Sequence, residues 1–342
     1  MRAYFIRRLL LIMPTFLGIT LVSFIIMHIV PGGPIEQAIR QIRMGGRLGE
    51  GGTGGGFMSS ELTNDAIEQM RKDYGFDKPV IFRYGQWLWN ILRLDLGTSY
   101  LYGDPVWDVI KSRLPISLYF GIIGFALTYA VCIPLGVMKA VWHNTLFDTL
   151  TSIIVFVGYA LPEFAVGLAL LVFFGGGSFW NLFPLGEFVS ANFSELSFFA
   201  KVLDLLHHTV LPVFCYMIAS FATMTILMKN SLLEQLNQDY VLTAFAKGAT
   251  TRAVIYKHAL RNSLIPLAAG FGHFLSILLA GSFMIEKVFN IDGMGLLGYT
   301  AVVERDYPVA LGILVISSLL SLLGNILSDV CYVLIDPRID FR

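Results

Sequence analysis

The chain has 342 residues, with 24 Lys plus Arg balanced by 24 Asp plus Glu, so it is formally neutral. Hydrophobic residues make up 56% of it and charged residues 14%, against roughly 25% charged in a soluble domain. This is too little polar surface to coat a water-soluble globule; neutrality without a basic block excludes a nucleic-acid binder, and low polarity excludes a disordered chain.

A bilayer core of ~30 Å takes about 20 apolar residues as a helix. Helices are the default spanning structure because lipid leaves backbone groups no water to bond. The first window without Asp, Glu, Lys or Arg is residues 9–30, preceded by Arg2, Arg7 and Arg8. It exceeds the ~7–15-residue core of a signal peptide and lacks a small-residue cleavage pattern, so it reads as a retained span. Residues 31–115 follow. Within them, 45–56 hold eight glycines in twelve positions, a flexible loop, and a short helix is expected to stop at Gly75. Val80, Tyr84, Trp87, Leu88 and Ile91 then recur at helical spacing on one face. Asp104-Pro105 reads as a helix cap followed by a first-turn proline.

Residues 116–138 give a second span and 149–174 a third, interrupted by Glu163 directly after Pro162, where a kink is expected. Residues 175–208 are rich in aromatics, among them Phe179, Trp180, Phe183, Phe188, Phe193, Phe198 and Phe199. The spacing of Phe199, Val202, Leu203 and Leu206 predicts an interfacial helix that anchors at the headgroup level. Spans four to six are expected at 209–228, 262–285 and 307–328. The chain is therefore expected to be an all-α integral membrane protein with six transmembrane helices. With the N-terminus inside, the cytoplasmic segments carry eleven basic residues and the short outer loops three, namely Lys201, Lys287 and Arg305. That places both termini inside and residues 31–115 outside. The expected organisation is a first helix over 1–30, an extracytoplasmic insertion over 31–115, and a five-helix core over 116–342.

Catalytic signatures are missing. No Gly-Lys dipeptide occurs, so there is no P-loop, and neither HExxH nor GxSxG is present. The GxGxxG spacing occurs at 49–54 and 293–298. Neither lies in a strand–turn–helix unit, so the first reads as part of the glycine-rich loop and the second as a tight turn beside a span. Cys132, Cys215 and Cys331 read as buried free thiols. His28, His207, His208 and His273 lack carboxylate or thiol companions at ligand spacing, so no metal site is expected. No cofactor is expected on this chain.

Two places carry functional expectations. Ionisable groups inside a membrane cost roughly 2.5–3.5 kcal/mol at a helix centre and default to functional hypotheses. Glu163 either faces a water-filled translocation path or satisfies the backbone broken at Pro162; the sequence leaves both open. The longest inner loop, 229–261, reads as a helix ending at Gly248, a turn, and a second helix capped by Thr250 or Thr251. It is either a solvated connector or an element that docks in a partner's groove.

At these residues the chain resembles the permeases of ABC importers, in the dipeptide and oligopeptide branch. The loop looks like that family's EAA loop. Leu242, Thr243 and Ala244 stand at the EAA triplet, of which only the alanine matches, and Gly248 is the family glycine. Thr243-Ala244-Phe245-Ala246-Lys247-Gly248 and His258-Ala259-Leu260-Arg261-Asn262 follow the peptide branch. Pro31-Gly32-Gly33-Pro34, Tyr74 to Pro79, Asp95-Leu96-Gly97, Arg305-Asp306-Tyr307-Pro308 and Asp336-Pro337-Arg338 are similar to further family motifs, in order along the chain.

The resemblance implies a permease in the bacterial inner membrane, paired with a second homologous permease. It also implies two cytoplasmic ATPase subunits or one fused ATPase, and an extracytoplasmic peptide-binding protein. ATP is then used by the partners, and oligopeptides are moved inward by alternating access. Peptide antibiotics such as microcin C are candidate cargo. The coupling residues it implies are Thr243, Ala244, Ala246, Lys247, Gly248, Ala249, Thr250, His258, Arg261 and Asn262. A self-contained secondary transporter is the alternative; it calls for an internal repeat with midplane charges in both halves, and Glu163 is the one such charge found.

Overall fold

The computed structural model describes residues 2–29, 78–176, 179–268 and 281–335. The glycine-rich loop, the helix expected before Gly75, Pro31-Gly32-Gly33-Pro34, most of the fifth expected span, His273 and Asp336-Pro337-Arg338 lie outside them. The described residues are helical, and the only β pairings among them are isolated bridges at Thr98–Pro105 and Gly175–Phe183.

Among the described residues, four helices are long and apolar enough to cross a membrane, or five if a bent pair counts as one. Helix α1 is Arg2–Ile29. It is apolar around its circumference and exposes Leu9, Leu10, Leu11, Met13 and Val22, as a helix solvated by lipid does. Helix α2 is Val80–Leu92, where the amphipathic spacing predicts it. Helix α3 is Val106–Val141 and carries Pro115 and Pro134 inside it; membrane helices tolerate interior proline because neighbours re-satisfy the freed carbonyls.

The expected third span is two helices, α4 (Leu146–Ala160) and α5 (Glu163–Phe174), bent by 97°. The expected kink is thus a complete break. Leu161, preceding a proline, is extended at φ −89°, ψ 128°, as the Pro162 ring requires of its neighbour. Pro162 then caps α5, its carbonyl accepting from the N–H groups of Ala165 and Val166. At ~1.5 Å per residue, neither piece alone spans the bilayer.

Helix α6 is Phe198–Leu236, 39 residues with Pro212 inside. The separate interfacial helix expected at 199–206 is instead its first turns. No glycine intervenes to stop the helix, and Pro212 is absorbed within it. At ~58 Å it is longer than the hydrocarbon core is thick. The rest is α7 (Asp239–Ala246), α8 (Phe283–Val288), α9 (Met294–Val303) and α10 (Tyr307–Ile335).

The chain divides into two compact units. One comprises Met1–Ile12, Arg113–Leu297 and Ser317–Arg342. Within it, small residues on α3 face α6. Gly124, Thr128, Cys132 and Gly136 recur every four residues, the spacing that brings two helices close in lipid. A Cβ on Gly136 would stand 2.6 Å from Met228 Cβ and 3.0 Å from the Thr225 carbonyl oxygen; one on Gly124 would stand 3.2 Å from Tyr216 Cβ. Arg8 of α1 pairs with Asp329 of α10.

The other unit comprises Met13–Ser112 and Gly298–Ile316. There α2 lays Tyr84 and Trp87 against Phe24 of α1. At the start of α10 the motif Arg305-Asp306-Tyr307-Pro308 meets the turn that follows Asp95-Leu96-Gly97, with Ser99 and Asp306 207 positions apart. The buried Asp306 carboxylate accepts from the Ser99 hydroxyl and from the N–H groups of Tyr100 and Leu101, both at 3.1 Å. Ser99 Oγ in turn accepts from Tyr102 N–H.

Candidate functional site

The loop expected inside, 229–261, folds as a hairpin. Helix α7 ends at Ala246, and Gly248 sits at φ +83°. The N–H of Gly248 donates to Phe245 O at 2.9 Å and that of Ala249 to Ala244 O at 3.2 Å. This pair of bonds is a Schellman motif, which satisfies carbonyls the helix end leaves open and needs a left-handed residue at this position. Thr250 caps the next segment by accepting from Ala253 N–H. The second arm is a helical turn, Thr251–Ala253, a π-helical stretch, Val254–Ala259, and Leu260–Ser263. Its π-helical stretch is the feature that spacing did not reveal.

The hairpin has two faces. Val241, Val254, Ile255 and Ala259 are buried in one core with Val137 and Ala140 of α3 and Met228 and Leu232 of α6. Ala244 and Ala249 pack against its edge. The other face exposes Leu242, Phe245 and Tyr256 beside Thr243, Ala246, Lys247, Thr250, Arg252, Lys257, His258 and Arg261. Asn262 is half-buried at the base. The sequence-predicted coupling residues therefore converge on one hairpin, mostly on its open side. An apolar centre ringed by basic residues is the anatomy of a protein interface.

Beside the hairpin lies an ionic cluster that the sequence reading did not single out. Asp148, in the first turn of α4, is buried and accepts from Lys229 Nζ of α6 at 2.8 Å on both carboxylate oxygens. Lys139 Nζ of α3 stands 3.0 Å from Asp148 Oδ1 and also donates to Asp148 O, Thr151 Oγ1 and Ser152 Oγ. His143 Nδ1 is 3.2 Å from the same carboxylate. No motif marks these residues; the signal is three charges at the edges of apolar runs.

Glu163, at the break between α4 and α5, is half-buried. Its Oε1 accepts from the Ser282 hydroxyl at 3.0 Å, and it occupies the first turn of α5, where the helix dipole favours a carboxylate.

A second carboxylate was missed, in α8 against the GxGxxG turn. Glu286 is 1% exposed and follows directly on the expected fifth span, 262–285. It accepts from Leu296 N–H at 2.6 Å and from the Ser117 hydroxyl, while Ser117 Oγ accepts from Met294 N–H. A Cβ on Gly293 would fall 2.5 Å from its carboxyl carbon, and one on Gly281 2.2 Å from Oε1. The glycines let backbone close around the carboxyl. Burial pushes its pKa up to about 7, against the downward pull of those hydrogen bonds.

Beside the aromatic segment that leads into α6, His208 Nδ1 faces the carbonyls of Gly186 and Glu187, and Nε2 faces Ser190 Oγ. Asp204 accepts from Ser190 N–H and from its hydroxyl. Histidine and carboxylate together hold the loop to the start of α6. Among the described residues, no three His, Cys, Asp or Glu side chains are grouped to hold a metal ion.

Comparison with known proteins fits this geometry. Residues 132–341 match the family of binding-protein-dependent transport system inner membrane components. The chain is 44% identical to the inner membrane ABC transporter permease protein YejB of Escherichia coli O157:H7, over 100% of both chains. It is 42% identical to the peptidoglycan transport system permease protein YejB of Agrobacterium fabrum, over 100% of this chain and 99% of the relative. It is 34% identical to the oligopeptide transport system permease protein AppB of Bacillus subtilis, over 100% of both. The chain belongs to the binding-protein-dependent transport system inner membrane components and is an inner-membrane permease subunit of an ABC transporter.

Proposed function

We propose that this chain imports peptides as one of two homologous permease subunits, with the 239–263 hairpin as the surface that receives the ATPases. The observation that carries this is the two-faced hairpin, with Gly248 in its left-handed turn and an open face of Leu242, Phe245 and Tyr256 among basic residues. A passive connector has no need of exposed apolar side chains presented on a fixed turn.

The proposal has six spans, both termini inside and residues 31–115 outside, in keeping with the distribution of basic residues. Two cytoplasmic ATPase subunits, or one fused ATPase, hydrolyse ATP. An extracytoplasmic peptide-binding protein delivers cargo, and this chain is neither catalytic nor cofactor-bearing. Glu163 lines the translocation path at the α4–α5 break. The names of the relatives, peptidoglycan for one and oligopeptide for another, support a peptide-bearing cargo class. Microcin C-like peptide antibiotics belong to that class.

The test is uptake of a labelled peptide panel in cells lacking this chain, with redundant importers deleted, and again in cells lacking only the partner ATPases. Both strains are expected to lose uptake of the same peptides. Unchanged uptake without this chain refutes the cargo. Uptake that survives loss of the ATPases refutes the ABC mechanism and favours the self-contained transporter.

A further inference from the structure

The ionic cluster at Asp148 joins three helices at the end nearest the hairpin, and its wiring is asymmetric. Lys139 of α3 is saturated, with four oxygen acceptors around its Nζ, all on the first turns of α4. Lys229 of α6 grips the same carboxylate through both oxygens. The start of α4 is therefore clamped from two sides. Lys229 follows Met228 and precedes Leu232 on α6, both fully buried in the core that also takes Val241, Val254 and Ala259 of the hairpin. Lys139 likewise adjoins Ala140, a member of that core. The hairpin and the clamp thus share the same stretches of α3 and α6.

At its other end α4 stops at the break before Glu163, whose carboxylate holds Ser282. A displacement of the hairpin that shifts the inner end of α6 carries Lys229 with it. Leaving α4 behind then parts a buried ion pair, and an unpaired buried charge is costly in low dielectric.

We propose that Lys229 and Asp148 form a relay that transmits hairpin movement to α4, and through α4 to the break at Glu163. Both are positioning residues for transport. This rests on the reading of the hairpin as the ATPase-docking element.

The test separates docking from relay. Nitroxide labels are placed at Asp239→Cys, exposed at the start of the hairpin and outside its docking face, or Ile154→Cys, 68% exposed on α4, in a chain whose native cysteines are replaced. The full importer with its partner subunits is reconstituted in liposomes, and the probe is ATP with orthovanadate. The variant is Lys229→Met, which leaves Asp148 paired one-to-one with Lys139 and so spares the fold.

The expected result is that both labels change their spectra in the parent. In Lys229→Met the Asp239 label still responds, while the Ile154 response falls at least fivefold. Lys229→Arg restores it. An Ile154 response of parental size in Lys229→Met overturns the relay. So does a parent in which Asp239 responds and Ile154 does not. A parent in which Asp239 does not respond overturns the docking reading, and the relay with it.

Discussion

Gly248→Val tests the hairpin most sharply, because the two ways such a change can act are separable. A Cβ on Gly248 meets nothing within 4 Å, so a side chain there does not collide with the protein. What it meets is the backbone, which stands at φ +83°. An L-residue with a Cβ pays roughly 1–2 kcal/mol for the left-handed region, and a β-branched one is a genuine outlier there. A cost of about 2 kcal/mol shifts the equilibrium between the docking-competent hairpin and its alternatives about 30-fold against docking, at 1.4 kcal/mol per factor of ten. The strain is local, so insertion and packing of the spans should be unaffected. Gly248→Asn, which tolerates positive φ better, should lose far less, and Gly248→Ala should fall between. The assay is co-purification of the ATPase subunits together with binding-protein-stimulated ATP hydrolysis in proteoliposomes. Valine should reach the membrane at parental levels yet lose most stimulated turnover, in the order Asn, Ala, Val. Parental assembly and turnover in Gly248→Val would refute the reasoning, since the left-handed turn would then have no consequence.

Three further outcomes are expected. Gly136→Leu sets a side chain against Met228 Cβ and the Thr225 carbonyl; backbone cannot yield as a side-chain tip does, so the variant should lose on the order of 3 kcal/mol and accumulate poorly, and a parental melting temperature in detergent would exclude a tight α3–α6 seam. Asp306→Ala removes the acceptor for Ser99, Tyr100 and Leu101 at roughly 1–3 kcal/mol, so tryptic cleavage after the exposed Arg93 should quicken severalfold; an unchanged cleavage rate counts against Asp306 holding this loop. Glu286 rises from its ordinary 4.5 to about 7, so the folded chain binds this proton more tightly than the unfolded one. Its contribution to stability is full below pH ~4.5 and is lost as pH rises through 7, on the order of 3 kcal/mol; Glu286→Gln should flatten the melting temperature of the purified chain between pH 5 and 8, and an unchanged slope would assign the dependence to other groups.

Much of this was legible because membrane helices announce themselves by composition. Apolar runs located α1, α3 and α10, and periodicity located α2 on the face that carries Tyr84 and Trp87. The turn of the hairpin was legible, since a C′ glycine and a threonine cap are local chemistry: Gly248 and Thr250 act through neighbours within five positions. What remained hidden depends on distant partners. A proline within an apolar run predicts a disturbance but not its size, since Pro134 and Pro212 stay inside continuous helices while Pro162 accompanies a 97° break. The clamp at Asp148 and the cradle at Glu286 join residues 81 and 169 positions apart, and spacing cannot see such pairs.

The two buried carboxylates of the short connecting segments share one logic. Where the chain leaves a helix beside the membrane, its N–H groups have neither a helical partner nor, once buried, water. Asp306 serves the loop before α3, and Glu286 serves the start of α9. Each is an acceptor with room for several donors, which a backbone carbonyl or a hydroxyl cannot match. Asp148 is different in kind, because its partners are lysines on two helices rather than N–H groups of one loop. A carboxylate that closes a loop fixes a conformation, whereas one shared between α3, α4 and α6 ties the movements of separate helices. That difference is why Asp148, rather than Glu286 or Asp306, is placed on the route between the hairpin and Glu163.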